Sequence, residues 1–302
     1  MTCASDLSGS TLVDTPMNPA ATAHAVLSID TLRRARATAR LGRRIEYFDT
    51  IDSTSTAARR LAAAGAVEGT VVIADTQTKG RGRLGRTWAS PPLRNLYLSI
   101  VLRPPLAVAA AVQLTLVAGV AVAETIREWA PHAAIKWPND VVVDGRKLAG
   151  ILTEMEADDD RVRFVILGIG VNLNVAPEDF PEELRHKATA LSAAAGRPIE
   201  RTTFADRLLS HLDERYTLFL ANGFAAIRPL WEACSCLTGR AVQIDGAGQR
   251  CAGVVAGITD DGALILRDAA GRDVRVVAGD VTVIDGYGTE GRNTGAQVTA
   301  DS

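Results

Sequence analysis

This chain of 302 residues is poor in the residues that mark several classes of function. Its four cysteines, Cys3, Cys234, Cys236 and Cys251, form no Cys-x-x-Cys pair, and the closest spacing is Cys234-x-Cys236. That excludes a zinc-ribbon or dithiol redox motif and fits buried thiols in a reduced cytoplasm. The four histidines, His24, His132, His186 and His211, are scattered, so neither a metal nor a catalytic cluster built on histidine is expected. A formal net charge of -2 argues against a protein that coats nucleic acid and leaves only a local basic patch open. No apolar run is expected to reach the ~18 residues of a membrane span. The N-terminus also lacks a basic segment followed by an apolar one, so no secretory signal or membrane partner is expected.

What the chain does have is enough apolar residues, 47% against 23% charged, to bury a sizeable core. Residues 1–42 read as a largely disordered leader, Ala-, Thr-, Ser- and Pro-rich to about residue 23, with a basic stretch from His24 to Arg44 able to form one helix. One helix is too little for a helix-turn-helix module. A domain over 43–236 follows. Strands are expected at Ile45 to Asp49, Thr70 to Asp75, Asn95 to Leu102, Lys147 to Glu156 and Val162 to Asn174. Helices are expected at Thr56 to Ala64, capped by Asp52 to Ser55, and as one long apolar element from Val108 to Trp129. Two more are expected at Thr203 to Leu220 and around Phe224 to Cys234. Asp144-Gly145 predicts a tight hairpin turn. Strands grouped together with helices packed to one side give an α+β class. From 237 to 286 short β-rich runs alternate with Gly/Asp turns, the pattern of a small β-barrel, and 287–302 is a polar tail expected to be disordered.

The densest chemistry lies in Thr78-Lys79-Gly80-Arg81-Gly82-Arg83-Leu84-Gly85-Arg86-Thr87-Trp88. Glycines let a backbone approach a ligand, and arginine offers planar donors to phosphate or carboxylate. Gly80, Gly82 and Gly85 superficially fit G-x-G-x-x-G, but that motif needs a helix at its last glycine. Trp88-Ala89-Ser90-Pro91-Pro92 follows instead, and tandem proline forbids one. The P-loop pattern fails too, with Arg86 standing where its lysine belongs. A merely solvated basic loop is the plain alternative.

Three further segments carry polar groups at strand ends and loops, where function concentrates. Ser53 and Thr54 offer hydroxyls at a helix start, with capping as an equal alternative. Lys136-Trp137-Pro138-Asn139-Asp140 gathers a cation, an aromatic, an amide and a carboxylate, or else is a rigid turn. Lys147-Leu148-Ala149-Gly150-Ile151-Leu152 opens a strand on a lysine. If the glycine-rich loop is extended, Arg81 and Arg83, two apart, point the same way and face one anion.

Together these segments, with Gly168-Ile169-Gly170-Val171-Asn172-Leu173-Asn174, resemble the biotin protein ligases in order and spacing from about Arg44 to Ile284. The resemblance implies a mixed sheet with helices like that of class II aminoacyl-tRNA synthetases, followed by an SH3-like barrel. It implies ATP-dependent conversion of biotin to biotinyl-5′-AMP and transfer to a lysine of a biotin carboxyl carrier protein, an acetyl-CoA carboxylase subunit or similar. By that correspondence Ser53, Thr54 and Gln77 hydrogen-bond the ureido ring, Gly150 lies with them, and Arg83 and Lys147 hold the biotin carboxylate and α-phosphate. Arg81 and its neighbours close over the adenylate, and Arg86, Trp88, Lys136, Asn139 and Asn172 meet its nucleotide. Asp140 either orients a metal or receives a proton. Mg²⁺ arrives with ATP, with no dedicated metal-ligand cluster. Ser55 departs from the family's usual asparagine, and the N-terminal segment does not match the winged helix of bifunctional members, so the monofunctional type without specific nucleic-acid binding is expected. A lipoate or octanoate ligase on the same fold and a transcriptional regulator sensing biotinyl-adenylate are the rival readings.

Overall fold

The computed structural model describes residues 26–246 and 249–284; the start of the expected leader and the expected tail from 287 lie outside them. In chain order the elements are α1 (Ile29–Ala35), β1 (Ile45–Ile51), α2 (Thr54–Ala63), β2 (Val71–Gln77), β3 (Leu96–Leu102), α3 (Val108–Ala111) and α4 (Leu114–Arg127). There follow β4 (Ala134–Lys136), β5 (Asp140–Val143), β6 (Arg146–Asp158), β7 (Arg161–Val171), α5 (Leu191–Ala195), α6 (Arg201–Asn222) and α7 (Arg228–Cys234). The C-terminal strands are β8 (Ala241–Gly246), β9 (Gln249–Ile258), β10 (Leu264–Arg267), β11 (Asp273–Val276) and β12 (Asp280–Val283).

β1 to β7 form one mixed sheet in the order β1-β2-β3-β7-β6-β5-β4. β1 and β2 run parallel with α2 as the crossover, and the remaining pairs are antiparallel. β3 is buried at all seven residues, as its central place requires. Helices α4 and α6 cover one face, and their side chains join Val71, Ile73, Leu98 and Ile151 in the main core. Among the described residues the opposite face is covered only at one end. There α2 lays Ala57, Ala58 and Ala62 on Val72, Val101, Phe164 and Ile166. Side chains alternate across a strand, so on β7 this face reads Phe164, Ile166, Gly168, Gly170. Bulk under the helix gives way to bare backbone beyond it, and that bare strip is the floor of a cleft.

Several expectations are corrected. Of the stretch from His24 to Arg44, the described residues from Val26 on are α-helical only over Ile29–Ala35. It is no loose leader over its described part: Leu27, Leu32 and Leu41 are buried in the main core, and buried Arg36 pairs with Asp213 at 3.2 Å. The helix expected from Val108 to Trp129 is broken at Val112 and Gln113, where the Gln113 amide donates to Asp260 O at 3.1 Å, and it ends at Arg127. Val108–Arg127 is nonetheless apolar and long enough by composition to cross a bilayer, contrary to the expectation that no run was; 72% of its most apolar window is buried inside the protein, as in a core helix.

β8 to β12 form a second, antiparallel sheet, order β11-β10-β9-β8-β12, in the place of the expected barrel. It sits against the first domain through the Trp137 indole, which donates to Gly262 O at 3.2 Å, and through Arg228 and Asp260 at 2.9 Å.

Candidate active site

The cleft divides into two cavities. The smaller, about 50 Å³, is lined by Thr54, Gln77, Arg81, Gly150, Gly168 and Gly170 among others. The larger, about 540 Å³, takes in Lys136, Asn172, Lys187 and Asp280. Gly82, Arg83, Trp88, Asn139 and Lys147 wall both.

Trp88 makes the partition. A Cβ on Gly170 would lie 2.6 Å from the indole Cε2, and one on Gly150 2.8 Å from Cζ3, so the ring rests against backbone that only glycine leaves bare. Gly150 and Gly170 are register partners on β6 and β7, which aligns the two gaps. Lys147 Nζ stands 5.3 Å from the ring centroid, a cation–π distance. The buried indole Nε1 has no hydrogen-bond partner among the described residues.

At the small cavity a polar chain surrounds the start of α2. Gln77 Oε1 accepts from Thr54 N at 2.9 Å and Thr54 Oγ1 at 3.2 Å, and Gln77 Nε2 donates to Ser90 Oγ at 3.1 Å. Ser99 Oγ donates to Thr54 Oγ1 at 2.9 Å and lies 3.1 Å from Ser55 Oγ. Ser53 occupies the N-cap position but its side chain caps nothing; Gln77 serves the first helical N–H instead. Ser53 Oγ is buried without a hydrogen-bond partner among the described residues. Of the two readings of these hydroxyls, capping therefore fails for Ser53, and a buried donor with nothing to bind is a costly arrangement unless something else uses it.

Around the large cavity the cations outnumber the acids. Five Lys/Arg side chains (Arg83, Arg86, Lys136, Lys147, Lys187) face three aspartates (Asp140, Asp179, Asp280). Burial pulls the Arg83 guanidinium below its ordinary value, with Asp140 opposing and Arg86 adding to the shift. Burial likewise lowers the Lys136 ammonium, Asp140 again opposing. Cations held partly out of water in this way gain most from an anion. Lys147 Nζ is 2.6 Å from Asp140 Oδ1, and Arg83 donates to Asn139 Oδ1 at 2.8 Å while Asn139 Nδ2 donates to Ile151 O at 2.9 Å. The Trp137–Pro138 peptide is cis.

Apart from Ser53, which lines neither cavity, the expected site residues thus come together. Gly82 between Arg81 and Arg83 is extended and both arginines line the small cavity, but Arg83–Gly85 then forms a 3₁₀ turn with Leu84 at φ 54° and the two guanidiniums take different partners. Arg81 forms a bidentate pair with Glu154 at 2.6 and 3.1 Å beside the small cavity, and Arg83 reaches Asn139 at the wall that both cavities share. Arg86 pairs with Asp280 of the second sheet. Sequence reasoning missed Glu154, Ser90, Asn95, Asp280 and the wall from Phe180 to Ala188. Glu154 was within reach, since it shares the open face of β6 with Gly150 by strict alternation. Asp280 carried no local signal.

The model of the biotin/lipoate A/B protein ligase family matches residues 47–172. The bifunctional ligase/repressor BirA of Bacillus subtilis is 42% identical over 246 residues, 81% of this chain and 76% of that protein. The chain belongs to this ligase family. Further support comes from the biotin--[acetyl-CoA-carboxylase] ligase of Paracoccus denitrificans, 37% identical over 74% of this chain and 94% of that one. Among solved structures, the biotin protein ligase of Aquifex aeolicus in complex with biotin and ATP superposes with a TM-score of 0.69 at 30% identity, covering 79% of this ligase and 97% of that chain. The mixed sheet with a second C-terminal sheet is therefore the fold of the biotin protein ligases.

Proposed function

We propose that this ligase joins biotin to ATP as biotinyl-5′-AMP, releasing pyrophosphate, and then passes the biotinyl group to a lysine of a biotin carboxyl carrier protein, releasing AMP. The observation that carries this reading is the shared wall. A small polar cavity and a large cationic one meet at Arg83, Trp88, Asn139 and Lys147, which is where a carboxylate from one side must meet a phosphate from the other. Two anions approach each other in that step, so preorganised cations at the junction lower its barrier most.

On this reading the ureido ring takes the small cavity. Ser53 Oγ, Thr54 and Gln77 supply the partners that its N–H and C=O groups need once buried. Arg83 and Lys147 hold the carboxylate and the α-phosphate, and the nucleotide extends into the large cavity past Lys136, Asn139 and Asn172. An elongated ligand across both cavities displaces Trp88 from the glycines, leaving its ring free to pack on the adenylate. Arg81 and Arg86, now tethered to Glu154 and Asp280, belong to the segment that closes and keeps water from the mixed anhydride. Asp140 opens on the large cavity, and one carboxylate beside phosphate oxygens is a fitting donor set for the Mg²⁺ that accompanies ATP. The thiols of Cys234, Cys236 and Cys251 are free, which supports a cytoplasmic setting.

The test is a time course with labelled biotin, lipoate and octanoate, each with ATP. Biotinyl-adenylate is the expected product, and adenylation of lipoate alone would overturn the assignment. Arg83→Ala and Lys147→Ala are each expected to cut adenylate formation by about a hundredfold or more while circular dichroism stays native, the scale of losing a preorganised charge at a reacting centre.

A further inference from the structure

Arg201, the first residue of α6, is fully buried, yet its guanidinium lies 2.5 Å from Asp75 Oδ1. The other Asp75 oxygen accepts from Tyr47 OH at 2.5 Å. From Arg201 the contacts run toward the cleft. Arg201 Nε donates to Asn95 O at 3.0 Å, and Asn95 Oδ1 accepts from Leu173 N at 2.9 Å. Asn95 Nδ2 reaches Asn172 Oδ1 at 3.5 Å, and Asn172 Nδ2 donates to Thr189 O at 3.2 Å. Thr189 N in turn donates to Lys147 O at 2.9 Å.

We propose that Asn95 and Arg201 are positioning residues for the nucleotide end of the site, acting through Asn172. The inference rests on the ATP-dependent reading above. Three observations carry it. A buried charged pair, Arg201 at zero exposure with Asp75 at 8%, is an expensive way to stabilise a core, since apolar residues of the same volume often do as well. This pair therefore calls for a role besides stability. Second, the chain of contacts is directional: it begins under α6 and ends at Asn95 and Asn172, both of which wall the large cavity. Third, both amide atoms of Asn172 are engaged, oxygen to Asn95 and nitrogen to Thr189, so its orientation is set from behind rather than by a ligand. An amide that presents a donor and an acceptor to a nucleotide base is useful only in one of its two flips. Fixing it before binding removes an ordering cost from ATP association.

The experiment compares steady-state KM values for ATP and for biotin, with thermal melting, in wild type, Asn95→Asp and Arg201→Lys. Asn95→Asp keeps shape and the acceptor for Leu173 N but replaces the donor facing Asn172 Oδ1. Arg201→Lys keeps a cation for Asp75 but loses the planar fork that also reaches Asn95 O. KM for ATP is expected to rise about fivefold to tenfold in both variants, the equivalent of one lost hydrogen bond, with KM for biotin changed less than about twofold. A purely structural role predicts lower melting temperatures with KM for ATP unmoved, and that result in a folded Asn95→Asp protein would overturn the proposal even if Arg201→Lys does not fold. A parallel rise in both KM values would overturn it as well. A wild-type chain that binds no ATP would overturn the functional reading and this one with it. ATP binding by wild type with unchanged KM in the variants would overturn this one alone.

Discussion

Trp88 stands where a ligand spanning both cavities must pass, so its environment is a direct reporter of occupancy. Its intrinsic fluorescence is expected to change on biotin binding, since the ring leaves the glycine floor and the Lys147 ammonium; titration of wild type against Trp88→Phe separates its signal from the other tryptophans. Gly170→Ala puts a methyl group within 2.6 Å of that ring, and the obstacle is a side chain rather than backbone, so the protein is expected to fold with Trp88 displaced. Activity should fall about tenfold or more, because misplacement near the chemistry weakens orientation. Unchanged activity would mean that the resting place of Trp88 has no bearing on the site. Cysteine chemistry is also decided at this scale. Burial pushes the Cys236 thiol up to about 11, with Lys136 opposing, so at pH 8 it is protonated in roughly all but one molecule in a thousand. Alkylation of Cys236 in native protein is expected to be far slower than that of an unfolded-state thiol, and to accelerate as pH rises toward that value. Mass-spectrometric labelling at two pH values checks it.

At the level of the element, the loop from Lys79 to Thr87 holds its tethers by charge and very little apolar contact, with Leu84 75% exposed at its tip. The exposed Arg86–Asp280 pair contributes little to stability, so a ligand can compete for Arg86 at small cost, while the bidentate hold of Glu154 on Arg81 is the stronger tether. Trypsin is expected to cut at Lys79, Arg81, Arg83 or Arg86 in free protein and much more slowly with biotin and ATP together; equal rates would argue against closure. Element types were largely legible beforehand, because β3 and β7 are apolar runs and the C-terminal strands alternate with Gly/Asp turns. The partner of Arg81 was not. Parity through extended Gly82 sets it on the same side as Arg83, but Glu154, 73 residues along the chain, takes Arg81 while Asn139 takes Arg83.

Across the whole molecule, the second sheet is wedded to the Lys136 to Asp140 turn. The buried indole of Trp137 donates to Gly262 O, while its neighbours Lys136 and Asn139 wall the cavity. Trp137→Phe leaves that carbonyl without its partner and is expected to cost about 1–3 kcal/mol in chemical denaturation, with KM for ATP rising as the turn loosens. A stability loss with unaltered ATP kinetics would show that the docked sheet steadies the fold without shaping the site. The family's motifs could be recognised one by one along the chain because each is local: glycines where backbone must be bare, a lysine opening a strand, amides at strand ends. Their chemistry follows from residue type and spacing, and so does the order of helices and strands. Which of them touch is a matter of long-range packing. Glu154, Asp280 and Arg201 lie 73, 194 and 126 residues from the partners they hold, Arg81, Arg86 and Asp75, and apart from the alternation that puts Glu154 on the face of Gly150 nothing in their immediate neighbours marks them. Only the folded sheet, with one face half covered by α2 and the other covered by α4 and α6, brings those charges into reach and leaves the cleft open between them.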